Sequence, residues 1–189
     1  MTAILGERGV LTDKAGMARH LDDMIGSAPV PPVAVLCPAS TEETSAAVKW
    51  CARREFAVVP QGGLTGLSSG AVPLSNRKSV ILSTHRMNRI RDVDPLNNSM
   101  TVEAGVVLAD AKAAAEDVER YLPLSHGGQG SSQIGGNLST NSGGNNALRY
   151  GTARDQVMGL EVVLPDGTVW NGLRKLRKNT AGYDLKQLF

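Results

Sequence analysis

The chain has 189 residues, is 41% hydrophobic and carries a formal net charge of +2, enough to bury a core either as one large domain or as two small lobes sharing a cleft. The near-neutral charge and 4% aromatic content offer neither the electrostatic field nor the stacking surface that nucleic acid or an anionic membrane would use. Cys37 and Cys51 form neither a zinc pattern nor a disulfide framework, and with no basic-then-apolar leader and no membrane-length run, a reducing cytoplasm is the expected location.

Residues 12–26, TDKAGMARHLDDMIG, read as a short helix capped by Thr12, with Met17, Leu21, Met24 and Ile25 on one face and His20 in solvent on the other. A proline-punctuated connector, 27–32, leads to the apolar run 33–37, of strand length and closed by Pro38. Ser40 is a helix cap, and Glu42 and Glu43 suit the dipole of the first turn. That helix carries Ala47, Val48, Trp50 and Cys51 inward and stops near Arg54; residues 57–60 form the next strand and complete a βαβ unit.

After this strand comes QGGLTG, residues 61–66, a glycine turn at the carboxyl end of a strand, where α/β proteins place their ligands. It is not the dinucleotide G-x-G-x-x-G, because Gly62 and Gly63 are adjacent and the LSSGAVP that follows forbids the long helix such a turn opens. No G-K-[ST] follows either, so it is not a P-loop; a plain turn is the competing reading. Residues 79–83 read as a strand, 87–90 lead to a turn at Asp94 and Pro95, and 100–104 alternate like a half-buried strand. Gly105 then breaks into an alanine-rich helix, 107–120.

The run 127–146, GGQGSSQIGGNLSTNSGGNN, holds seven glycines and four asparagines, and no Asp, Glu, Lys or Arg lies between Arg120 and Arg149. Ordering glycine costs more backbone freedom than ordering any other residue, a cost accepted where something approaches the backbone closely or φ must be positive. Bare N–H groups on neighbouring residues then make anion-binding concavities that need no lysine. The alternative is a disordered linker; against it, Ile134, Leu138 and Leu148 punctuate the run and patterned segments flank it. Residues 157–164 and 169–171 read as strands joined through PDGT into a hairpin, and the basic stretch 174–178 as a solvated loop.

PQGGLTG, TVEAGV, GSSQIGGNLSTNSGG, RYGTARD, GLEVVLPDGTV and NTAGYDLKQLF occur in this order. Together they resemble the FAD-binding domain of the vanillyl-alcohol oxidase/p-cresol methylhydroxylase type, and within it the flavin-dependent D-2-hydroxyacid dehydrogenases acting on D-lactate, glycolate or D-2-hydroxyglutarate. The resemblance covers roughly residues 32–189 and implies an α+β fold of two lobes with FAD between them: an N-terminal helix and connector (1–31), a first α/β lobe (32–95) and a second α+β lobe (96–189). It also implies that Gly62, Gly63, Leu64, Thr65, Gly66 and Leu67 hold the pyrophosphate. Ser131, Ser132, Gly135, Gly136, Asn137 and Asn141 would line the pyrophosphate and flavin end, Glu103, before the Ala104-Gly105 turn of the second lobe, would also bind the cofactor, and Val163 would meet the adenine through its main chain. Some relatives attach FAD through a histidine directly after the two glycines of the first turn. Leu64 stands there, so the implied FAD is non-covalent. His126 replaces an apolar or small residue just ahead of the second glycine run; it is either a base near neutral pH or a hydrogen-bonded loop residue, and His85 reads as structural.

In the resembled family the motif at 183–189 runs into a further strand of the second lobe and then a substrate domain. The expectation is therefore a second lobe incomplete at its C-terminus, inactive alone, meeting a small 2-hydroxyacid only with the substrate domain and prone to self-association through an open sheet edge. Two classes of protein fit: the FAD-binding portion of a hydroxyacid dehydrogenase, or a non-catalytic remnant or partner subunit that keeps the fold. No nucleic-acid partner, membrane span, metal or catalytic residue is expected within the chain.

Overall fold

The computed structural model describes residues 1–27 and 29–189; Ala28, inside the connector 27–32, lies outside the described residues. A first sheet runs through Val10–Leu11 (β1), Ala34–Leu36 (β2), Ala57–Gln61 (β3) and Ser79–Ser83 (β4) in the order β1-β2-β4-β3. β2, β3 and β4 are parallel, and β1 closes one edge antiparallel to β2. Every residue of β2 and β4 is buried, the mark of strands covered on both faces. The period of two then splits their side chains. Ala34, Leu36, Val80 and Leu82 face a cluster with Leu5, Ala47, Val48 and Cys51, while Val35, Cys37 and Ile81 face Met17 on the other side. Each such large aliphatic side chain contributes about 1.5–3 kcal/mol by leaving water.

Helix Thr2–Leu5 (α1) supplies Leu5, Lys14–Ala18 (α2) supplies Met17, and Thr41–Ala52 (α3) is the crossover between β2 and β3. The start of α3 is fixed as its sequence dictates: Ser40 Oγ accepts from Glu43 N–H at 3.1 Å, and the Glu43 carboxylate accepts from Ala39 N–H at 2.8 Å. The helix expected over 12–26 is much shorter. Asp13, not Thr12, caps it, accepting from Gly16 N–H at 2.8 Å, and it ends at Ala18. His20 is not in solvent but 5% exposed, because the chain turns there and folds the ring back onto the first sheet.

The second part carries a hairpin, Ile90–Asp94 (β5) with Ser99–Val102 (β6), and helix Leu108–Glu116 (α4), shorter than the expected 107–120. Within the glycine run lies a helix that the sequence reading did not expect, Ile134–Ser139 (α5), and Ala147–Tyr150 (α6) follows it. Leu108, Leu124 and Ala153 are buried together, with Ile134 and Leu138 against them. The expected Asp-Gly hairpin is present as Glu161–Val163 (β7) and Val169–Asn171 (β8), with Gly167 at φ 81° in its turn. It docks on α3, where Thr41 Oγ donates to Glu161 at 2.6 Å and Ser45 Oγ donates to the Gly167 carbonyl at 2.5 Å. Helices and mixed sheets in two parts agree with the α+β class.

Candidate functional site

The first glycine turn leaves β3 at Gln61 and passes directly under the second glycine run. A methyl group placed on Gly63 would stand 2.7 Å from the Ser131 carbonyl carbon and 3.0 Å from Ser132 Cα. Backbone therefore lies on backbone, an approach only glycine allows. Gly62 sits beside Gln133 and Gly136, and Thr65 beside Gly128. Thr84, just past β4, donates its hydroxyl to Gln133 Oε1 at 2.6 Å and pins the second run to the end of the first sheet. Gly135 is pressed onto Ala104 and donates its N–H to the Ala104 carbonyl at 2.8 Å.

Among the described residues, the backbone N–H groups of Gly62, Gly63, Leu64, Thr65, Gly66 and Leu67 donate to no protein acceptor. Gly62, Gly63, Leu64 and Thr65 are half-buried, so these are partly desolvated donors, and such groups are normally paired. Leu64 has φ 58°, the left-handed conformation found where successive N–H groups turn toward a bound anion. Holding a leucine there costs about 1–2 kcal/mol, which the enclosing contacts must offset.

The second run supplies a polar lining. Ser132 and Asn137 are buried, and Asn137 Nδ2 donates to Ser132 Oγ at 3.3 Å. His126 accepts from Gly128 N–H on Nδ1 at 3.2 Å, so its proton is on Nε2, which faces Asn137 Oδ1 at 3.1 Å. Both ring nitrogens are engaged within the loop, the structural one of the two roles open to His126. Asn141, at φ 49°, accepts on Oδ1 from Arg154 N–H. Ser142 Oγ is buried with no partner among the described residues. Ser131 and Gly136 are exposed beside these groups, and Leu67 is exposed at the far end of the turn.

The structure thus brings together Gly62, Gly63 and Thr65 with Ser131, Ser132, Gly135, Gly136 and Asn137. Glu103 stands beside this seam, before the Ala104-Gly105 turn. That carboxylate is buried and accepts from Arg89 N–H at 2.9 Å, from the Arg89 guanidinium at 2.8 Å and from Arg91 at 3.4 Å. Burial alone would push its pKa up; the Arg89 hydrogen bonds and charge outweigh that and hold it below the usual glutamate range. Its side chain joins β5 to β6, and Arg91 extends the chain of charges to Glu161 on β7. Val163 packs on the core of the first sheet and lines, with Pro60, Thr84, Glu103 and Gly135, a mostly apolar cavity of about 1190 Å³. Gln61, Thr84 and Gln133, which tie the turns together, were not singled out from sequence; Gln61 and Gln133 lie within the two glycine segments, and nothing local marks Thr84.

Residues 32–172 match the family model described as FAD binding domain. The chain belongs to the FAD-binding domain family. This FAD-binding domain is 44% identical over 187 residues to a probable D-2-hydroxyglutarate dehydrogenase of Oryza sativa subsp. indica, covering 99% of this chain and 33% of that one. It is 48% identical over 155 residues to the D-2-hydroxyglutarate dehydrogenase of Danio rerio, covering 82% and 29%. The chain therefore spans about a third of the length of the curated relatives it matches. Among solved structures, an alkyldihydroxyacetonephosphate synthase superposes with a TM-score of 0.86 at 23% identity over 99% of this chain and 35% of that one. A p-cresol methylhydroxylase superposes with a TM-score of 0.70 at 24% identity, over 89% and 33%. These two show the fold, that of the p-cresol methylhydroxylase type, and FAD is the cofactor of the family. The expected cytoplasmic location is corrected: the rice and zebrafish relatives are named as mitochondrial proteins. The two free cysteines, both buried, do not choose among compartments. Among the described residues, no helix is long and apolar enough to cross a membrane.

The donor set fits FAD. A diphosphate needs several convergent N–H donors without competing carboxylates, and the first turn offers a run of them with no Asp or Glu in residues 56–91.

Proposed function

We propose that this FAD-binding domain is the cofactor-holding part of a flavin-dependent oxidoreductase acting on the CH–OH group of a D-2-hydroxyacid. The observation that carries the reading is the run of N–H groups from 62 to 67, without an acceptor among the described residues, lying against the second glycine run, in a chain whose relatives include D-2-hydroxyglutarate dehydrogenases. When bound, FAD supplies a two-electron acceptor for the hydroxyacid Cα–H. The residues of this chain bind and orient it. Gly62, Gly63, Leu64, Thr65, Gly66 and Leu67 meet the diphosphate through their backbone, while Ser131, Ser132, Gly135, Gly136, Asn137 and Asn141 border the diphosphate and flavin end. Val163 stands on the adenine side, and Glu103, just before the Ala104-Gly105 turn, borders the same cavity. Leu64 offers no nucleophile, so the cofactor is held without a covalent bond.

The hydroxyacid chemistry belongs to the longer protein, of whose relatives this chain spans a third. Purified chain titrated with FAD should quench flavin fluorescence saturably, and acid precipitation should release all the flavin into the supernatant. Turnover of D-2-hydroxyglutarate, D-lactate or glycolate should require the complete reading frame. An isolated chain that turns over any of them with an artificial electron acceptor, or that fails to bind FAD, sinks the reading. Exposed Leu176, Tyr183 and Leu188 support self-association of the isolated chain, which light scattering over a concentration series tests.

A further inference from the structure

Gln61 closes β3 and is 2% exposed. Its carboxamide is fully engaged: Nε2 donates to the Ala71 carbonyl and to the His20 carbonyl, each at 2.9 Å. Those two carbonyls fix which end of the amide carries the hydrogens. The Oε1 that faces His20 Nδ1 at 2.5 Å must then be an acceptor, so His20 carries its proton on Nδ1. His20 Nε2 accepts from Arg19 Nε–H at 3.2 Å, which agrees. One buried amide therefore ties the residue before the turn to the residue after it, and one buried histidine holds that amide by side chain and backbone together.

The turn needs such a clamp. Among the described residues, 62–67 donate no backbone hydrogen bond to the protein, and Leu64 occupies the left-handed region, so the loop has little of its own to define its shape. Beyond its contacts with the second glycine run, its polar tie is the pair of hydroxyls of Ser27 and Ser69, 2.7 Å apart.

We propose that Gln61 and His20 are positioning residues for this turn: together they fix the span from 61 to 71, so that the N–H groups between converge on a diphosphate before the ligand arrives. The inference rests on the reading that the turn holds the diphosphate of FAD, and the test separates the two. FAD and ADP, which share the diphosphate, are titrated into the 189-residue chain, and far-ultraviolet circular dichroism follows the fold. His20→Phe and Gln61→Met should weaken both ligands about tenfold, the scale of one lost hydrogen bond of positioning, with the fold retained. His20→Asn, which keeps an N–H donor at the same reach from the backbone, should stay within about threefold of the unaltered chain. Amides 62–67, slowed in hydrogen exchange by saturating FAD, should be slowed less in His20→Phe. Unchanged affinity in both His20→Phe and Gln61→Met overturns the proposal, as does a His20→Asn chain as weak as His20→Phe. If neither of the two disruptive variants folds, the clamp is a stability element of the lobe and the proposal fails. If the unaltered chain binds neither FAD nor ADP, it is the functional reading that falls.

Discussion

Gly63→Ala is the sharpest perturbation of the seam between the two glycine segments. The added methyl would meet the Ser131 carbonyl carbon at 2.7 Å and Ser132 Cα at 3.0 Å, with the Ser131 oxygen nearer still. Ordinary carbon contacts lie near 3.5 Å, so the two backbones must part by roughly 0.8 Å or more. Neither neighbour is a flexible side chain that can swing aside. Overpacking of this kind costs about 1–3 kcal/mol, and backbone against backbone belongs at the upper end, about 3 kcal/mol. In a chain of this length each kcal/mol lowers the melting temperature by about 2–4 °C, so a fall of about 6–12 °C is expected for the apo chain. Affinity for FAD should fall further than the loss of stability explains, because donors on both segments face one ligand; two weakened charge-assisted bonds amount to about 3 kcal/mol, or more than a hundredfold. Gly70→Ala is the control, since a methyl there meets nothing within 4 Å. Thermal unfolding by circular dichroism and fluorescence titration with FAD provide the two readouts. If Gly63→Ala melts with Gly70→Ala and binds FAD as tightly, the close seam is not what organises the site.

Glu103→Ala should cost about 2 kcal/mol, from bonds lost to Arg89 N–H and the two guanidiniums, less than a fully buried pair because the arginines are partly solvated; urea unfolding measures it. Gly167→Ala places a methyl 2.8 Å from the Ser45 carbonyl oxygen at a φ of 81° and should loosen the β7-β8 hairpin from α3, read as faster hydrogen exchange in residues 161–171. Burial, ahead of the charge of Arg19, lowers the pKa of both His20 and His85. The unfolded chain therefore binds protons first, and the stability these rings contribute is complete above about pH 6.5 and lost as the pH falls through their lower folded values. The urea midpoint should fall between pH 7 and pH 5, and by less in His20→Phe; a midpoint flat over that window refutes the assignment.

What could be read from sequence was what short-range chemistry decides. The runs at β2 and β4 declare themselves because strands buried on both faces must be apolar throughout, Ser40 and Glu43 announce a helix start, and Asp166-Gly167 announces a hairpin. The two glycine runs were legible as a cradle through composition and the resemblance they carry. What escaped depends on partners distant in sequence. Ile90–Asp94 carries too many charges to look like a strand until β6 lies beside it. Ile134–Ser139 contains two glycines that argue against helix, and its helical conformation is upheld by Ala104 and Val106, whose carbonyls accept the N–H groups of Gly135 and Ile134. His20 looked like a surface residue on a longer helix because nothing local reveals Gln61, 41 residues on. Nor does the sequence around Glu103 reveal that its carboxylate is held by Arg89 and Arg91, 14 and 12 residues away.

The meeting of Gly63 with Ser131 and Ser132 also limits how the molecule can work. Main chain touches main chain there, so parting the two glycine segments would have to break this contact. A nucleotide that docks with the seam intact meets a seat already finished during folding. Gain and loss of flavin should accordingly proceed without large-scale rearrangement, and selection at this junction should act on the absence of a β-carbon.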